Sequence, residues 1–179
     1  MGRIPTLIIL PAALAAVAPA GAQDYLSMTE ARQAVFPEAD GFVDVTVTLT
    51  DAQRATIQKL GGTRQRWKSQ VVWRAEHEGT PVGWFIVDEV VGKHEFITWA
   101  LGINPDGSVR GIEILDYRET YGAEVCEPNW RAQFVGKAHG AELRLHRDIR
   151  NISGATLSCR HLTDGVKRLL ATHSLVFTH

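Results

Sequence analysis

The stretch from Ser69 to Tyr117 most constrains what this chain can fold into. It holds four β-rich runs in succession: "SQVVWRAEH" at 69–77, "PVGWFIVDEVVGK" at 81–93, "EFITWALGI" at 95–103 and "SVRGIEILDY" at 108–117. β-Branched and aromatic residues dominate these runs and suit a pleated, half-buried surface. Gly79, Gly92-Lys93 and Asn104-Pro105-Asp106-Gly107 punctuate them. The last of these is a tight-turn signature, so the final pair reads as an antiparallel hairpin. A meander of four or more strands results.

Helical patterns lie on either side of that block. Residues 24–36 read as a helix with Ser27 and Glu30 as a capping box, stopped by Pro37. In "FVDVTVTLT", Val43, Val45, Val47 and Leu49 alternate with polar residues, the pattern of one half-buried strand. Thr50 and Gln53 open a short helix over 51–60, ended by Gly61-Gly62. A short helix is expected over 127–137 with Trp130 and Phe134 inward. A final helix is expected over 157–172. There Leu162, Val166, Leu169 and Leu170 form one apolar face, with Lys167 and Arg168 pointing outward. Strands grouped together with helices at both ends give an α+β fold: an antiparallel sheet of four or more strands flanked by short helices. Its C-terminal helix follows the segment Ser153-Gly154-Ala155-Thr156.

The first residues carry a different message. "MGRIPTLIILPAALAAVAPAGAQ" places Arg3 before an apolar run and Ala20-Gly21-Ala22 before Gln23, the order of a secretory signal peptide. Pro11 and Pro19 interrupt the run, and a membrane span needs roughly 20 apolar residues. The reading is a signal peptide over 1–22 and an exported, periplasmic product. Residues 23–79 form an N-terminal helix-strand-helix region and 80–179 a second region, together one globular unit over 23–179. With 19 Lys and Arg against 20 Asp and Glu, no basic surplus points to nucleic acid. The histidines and cysteines lack the spacing of a metal site. Export permits a Cys126–Cys159 disulfide, but geometry decides it.

The chemistry concentrates at "NISGATLS". Gly154 and Ala155 strip side chains from the backbone just where a helix begins. The first helical N–H groups lack partners and the helix dipole favours an anion there, so a phosphate is physically welcome. Ser153 or Thr156 acting as an ordinary N-cap is the competing account.

"SGAT" also resembles the flavinylation motif of the FMN-binding domain. That domain occurs in the C subunit of the sodium-translocating NADH:quinone reductase and the G subunit of the Rnf complex. "HEFITWALGINPDGSVRGIEILDYRETYG" resembles the family's strand pair followed by E-T-x-G, here Glu119, Thr120 and Gly122. "WRAQFVGK" resembles its W-x-x-x-F-x-G-K helix. The likeness covers about 80–179. The chain departs from the family at Tyr121, where Pro is common, and at Glu124, where a second Gly is. Arg150 stands where an acidic residue often does, with Asp148 nearby.

The resemblance implies FMN bound covalently to Thr156 through a phosphoester, installed by an ApbE-type flavin transferase. It implies Ser153, Gly154, Ala155 and Leu157 around the attachment, Glu119 and Thr120 near the ring or ribityl chain, and Lys137 offsetting phosphate charge. Glu119 and Lys137 as a solvated surface pair, and Trp84, Trp99 and Trp130 as core, are the plainer roles. His161, one turn past Thr156, is a candidate hydrogen-bond donor to the flavin. The expected function is an exported electron-relay flavoprotein working with a membrane electron-transfer protein, without nucleic acid or metal. A flavin-dependent reductase of a small periplasmic substrate, or a non-redox sensory or maturation module, are the alternatives.

Overall fold

Six antiparallel strands carry the molecule, described over residues 25–177 by a computed structural model. The expected signal peptide over 1–22 lies outside the described residues. In chain order the elements are α1 (Met28–Val35), β1 (Gly41–Asp44), β2 (Val47–Thr48), α2 (Asp51–Gly61), β3 (Ser69–His77) and β4 (Thr80–Val91). β5 (Phe96–Ile103), β6 (Val109–Tyr117), α3 (Pro128–Arg131) and α4 (Thr156–Val176) follow, with 3-10 turns on either side of α3. Neighbours run β1-β3-β4-β5-β6, and β2 pairs with β3 beyond β1. The fold is α+β.

The meander forms because each turn has the chemistry it needs. At 104–107 the Gly107 N–H donates to the Asn104 carbonyl at 2.9 Å and Gly107 takes a φ of 83°. Asp106 Oδ1 accepts from the Ser108 N–H at 2.9 Å, pinning the entry to β6. Both helix-opening capping boxes are present, Ser27 with Glu30 and Thr50 with Gln53.

β5 explains its own near-continuous apolar run, because both of its faces are covered. Ile97, Trp99, Leu101 and Ile103 join the larger core with Leu162, Val166, Leu169 and Leu170 of α4. Ala100 faces the other way, into a second cluster with Ala31, Val35, Phe36 and Phe85 under α1. Trp99 and Trp130 are core residues, and Trp84 packs against the same core edge-on to His173 at 4.5 Å.

Several expectations need correcting. The single strand expected over 43–49 breaks after Asp44, whose Oδ1 accepts from the Thr46 N–H at 2.8 Å and turns the chain. The helix expected over 127–137 is one α-turn between two 3-10 turns; Gly136, at a φ of 78°, ends it. α4 runs on to Val176, since Ala171, Thr172 and His173 are all buried and no Gly or Pro stops it. Arg168 does not point outward. It is 4% exposed and its guanidinium pairs with Asp88 of β4 and donates to Gln65. α4 is packed on two sides, against the sheet and against α2, so its buried arc is wider than the apolar stripe alone indicates. Cys126 and Cys159 are both buried, free thiols.

Candidate functional site

Thr156 is the first residue of α4. The cap position belongs to Ala155, and no side chain caps the helix. Neither Ser153 nor Thr156 is therefore an N-cap, and the opening N–H groups of α4 keep their capacity for an anion. Gly154 has a φ of 84°, which favours glycine, and nothing within 4 Å would meet a side chain there. The approach to Thr156 is open. Its Oγ1 accepts from Asn151 Nδ2 at 3.1 Å, and Asn151 Oδ1 is buried without a partner.

Two hollows meet at Thr156. The first, of about 330 Å³, is lined by Glu119, Thr120 and Tyr121 from one loop and Gly154 to Ser158 from the other, with Lys93 and His94 between them. Glu119, Thr120, Gly154, Ala155, Thr156 and Leu157, far apart in sequence, are thus brought to one place. The packing between the loops is close: a Cβ at Gly122 would overlap Ala155 Cβ, and the φ of 86° there also favours glycine. Leu157 at 41% and Tyr121 at 76% exposure give this hollow an apolar rim.

Glu119 is not a solvated partner of Lys137. Its Oε1 accepts from the backbone N–H groups of His94 at 2.5 Å and Glu95 at 3.0 Å, tying the loop to the β4–β5 turn. Burial acts to raise its carboxyl, but the hydrogen bonds from Glu95, His94 and Lys93 win and hold it below the usual range. Tyr117 fixes the loop from the other end, donating its hydroxyl to the Tyr121 carbonyl at 2.6 Å. Burial pushes the Tyr117 phenol up to about 12, so it stays a donor.

The second hollow, of about 640 Å³ and more open, is lined by Gln133, His146, Arg147, Asp148, Arg150, Asn151, Ser153, Gly154 and Thr156 among others. Ser153 belongs to this side. Lys137 lines neither hollow. Its ammonium pairs with Asp148 Oδ2 at 2.9 Å. Asp148 also accepts from the N–H groups of Leu143 at 3.1 Å and Arg144 at 2.6 Å, so it braces the loop before the SGAT segment. Trp130 and Gln133 brace it further along. Trp130 Nε1 donates to the Arg150 carbonyl at 2.8 Å, and Gln133 Oε1 accepts from the Arg150 N–H at 2.7 Å. The W-x-x-x-F-x-G-K segment therefore positions the loop that ends at Thr156. His161 faces a separate hollow with Arg64, Trp67 and Asp164, and its ring contacts the Val91 carbonyl. It does not share a hollow with Thr156.

Asn151, Lys93, His94 and Tyr121 join the site without having been singled out as binding residues by sequence. Asn151 lies in an irregular loop, where no periodicity signals which way an amide points.

Residues 92–171 match the family model described as the FMN-binding domain. No curated protein matches the chain. Among solved structures, the crystal structure of NqrC from Shewanella oneidensis is 17% identical with a TM-score of 0.49. The match covers 79% of this chain and 80% of that one. The likeness to the FMN-binding domain family is thus carried by residues 92–171, the stretch from the β4–β5 turn to α4 that holds both loops of the hollow at Thr156.

Proposed function

We propose that this protein is an exported electron-transfer flavoprotein carrying FMN on Thr156 through a phosphoester. One observation carries the reading: the two loops holding Glu119-Thr120 and Gly154–Leu157 enclose one hollow, with the Thr156 hydroxyl at its edge and an uncapped helix start beneath. The residues present fit the cofactor. The free N–H groups at the start of α4 suit its phosphate. The hollow is at the lower end of the about 300–1,000 Å³ usual for small-molecule sites. Its rim of Tyr121 and Leu157 suits an apolar ring. FMN, when bound, supplies the one- and two-electron chemistry, and the protein supplies orientation and electrostatics.

A covalent tether has a physical rationale for an exported protein. Outside the cytoplasm a freely exchanging flavin is lost by dilution, whereas attachment makes occupancy independent of free flavin. The redox partner in this reading is a membrane electron-transfer protein, and an ApbE-type flavin transferase installs the cofactor.

Co-expression with such a transferase tests the assignment. The denatured protein is expected to run as a fluorescent band in SDS, with one FMN in its mass. Thr156→Val is expected to abolish that band. A band that persists in the variant moves the attachment elsewhere.

A further inference from the structure

Asn151 reaches Thr156 from the side of the second hollow. Its Nδ2 donates to Thr156 Oγ1 at 3.1 Å, while its other amide atom, Oδ1, is buried and has no partner. An amide with its nitrogen satisfied and its buried oxygen orphaned is costly, and such a group calls for an explanation. The loop that holds it is not loose. Arg150, the preceding residue, is clamped at both its N–H and its carbonyl by Gln133 and Trp130.

We propose that Asn151 is a positioning residue for flavin attachment, and that its amide holds the Thr156 oxygen before and after the new bond forms. The inference rests on Thr156 being the attachment point. In the transfer step, Thr156 Oγ1 attacks the FMN-side phosphorus of flavin adenine dinucleotide bound by the transferase. The Oγ1–P bond forms, the P–O bond to the adenylate breaks, adenosine monophosphate leaves, and the hydroxyl proton goes to a base or to water. No electrons change hands. The Asn151 N–H donated to Oγ1 fixes the hydroxyl, so that its proton and its second lone pair point away from the loop, into the open hollow. Once Oγ1 is esterified it has no hydrogen and can only accept. A donor amide then remains well matched to the oxygen and to the phosphoryl charge beside it. A carboxylate at the same place would serve neither purpose.

Two variants separate this role from a structural one. Initial rates of flavin incorporation are measured with a purified ApbE-type transferase while flavin adenine dinucleotide is varied. Melting temperatures are taken for each variant before attachment. Asn151→Ala is expected to lower the apparent kcat on the order of tenfold or more, with KM for the dinucleotide unchanged, because the transferase holds that substrate. The isosteric Asn151→Asp is expected to be slower still, since it keeps the shape, removes the donor and adds a charge facing the phosphate. If Asn151→Ala melts early, Asn151→Asp carries the comparison. Incorporation at the wild-type rate in either variant, or an aspartate variant faster than the alanine one, overturns the proposal. A wild-type protein that takes up no flavin at Thr156 overturns the attachment reading itself, and this inference with it.

Discussion

At Arg168 the side chain contradicts its sequence neighbourhood. Next to Lys167 it reads as a solvated charge, yet its guanidinium is enclosed between Asp88 of β4 and Gln65. The signal was absent because Asp88 lies 80 positions away, and no local spacing rule reports such a pair. Burial pushes the Asp88 carboxyl up, and the guanidinium beside it pulls it back. Removing one partner strands a buried charge, which typically costs about 3–5 kcal/mol. Arg168→Met is therefore expected to lower unfolding free energy by about that amount in urea titrations. The double variant Asp88→Leu with Arg168→Met is expected to recover most of it, because apolar replacements of a buried pair are often near neutral. If the double variant is as unstable as the single one, the stranded carboxylate is not the cause. The same limit on sequence explains Lys137. Its residue type suggested phosphate, but only the folded chain shows that Asp148 already holds it.

α4 shows what an element can report and what it conceals. Its apolar positions at Leu162, Val166, Leu169 and Leu170 were legible because a 3.6-residue period is a local property. Its last turns were not, because what keeps them helical is tertiary: His173, 1% exposed, sits edge-on to Trp84 and near Phe177. Burial lowers the imidazole from 6.5 to about 4, and its Nε2 has no hydrogen-bond partner. The folded state thus prefers the neutral ring, and the unfolded state binds the extra proton. Stability from this group is complete above pH 6.5 and is lost as pH falls toward about 4, at about 1.4 kcal/mol per pH unit. Urea midpoints taken between pH 7 and pH 4.5 are expected to fall accordingly, and His173→Leu is expected to flatten that slope. Carboxylates held low, such as Asp148 and Glu119, begin to lose their contribution only as pH falls past their ordinary values of 3.8 and 4.5, at the lower end of the His173 range. A slope unchanged in His173→Leu assigns the titration to another group.

The whole sheet decides whether the region matched to the FMN-binding domain can stand by itself. Its strands were readable one at a time, and its turns fixed their antiparallel order. The division near residue 80 was less secure, because pairing across a boundary leaves no mark in either segment. β3 pairs with β4 from Val71–Val87 to His77–Thr80, so a cut at 80 bares the edge of a long strand. The same cut removes α1 and the Phe36 that follows it; Ala31, Val35 and Phe36 cover Phe85 and Ala100. It also removes α2, whose Gly61 lies so close to α4 that an added Cβ would stand 2.9 Å from Arg168 Cα. The remaining piece would expose the sheet face at β4 that α1 covers, and it would lose Gln65, which accepts a hydrogen bond from Arg168. A fragment spanning 80–179 is therefore expected to show poor amide dispersion by NMR and no cooperative urea transition, whereas 25–179 shows both. Such a fragment is also expected to be a poor substrate for flavin attachment despite retaining Thr156, Asn151, Glu119 and Thr120, because the β4–β5 turn that holds Glu119 rests on that sheet. A cooperative transition in the short fragment would show that the N-terminal strands and helices serve the site from outside its folding unit.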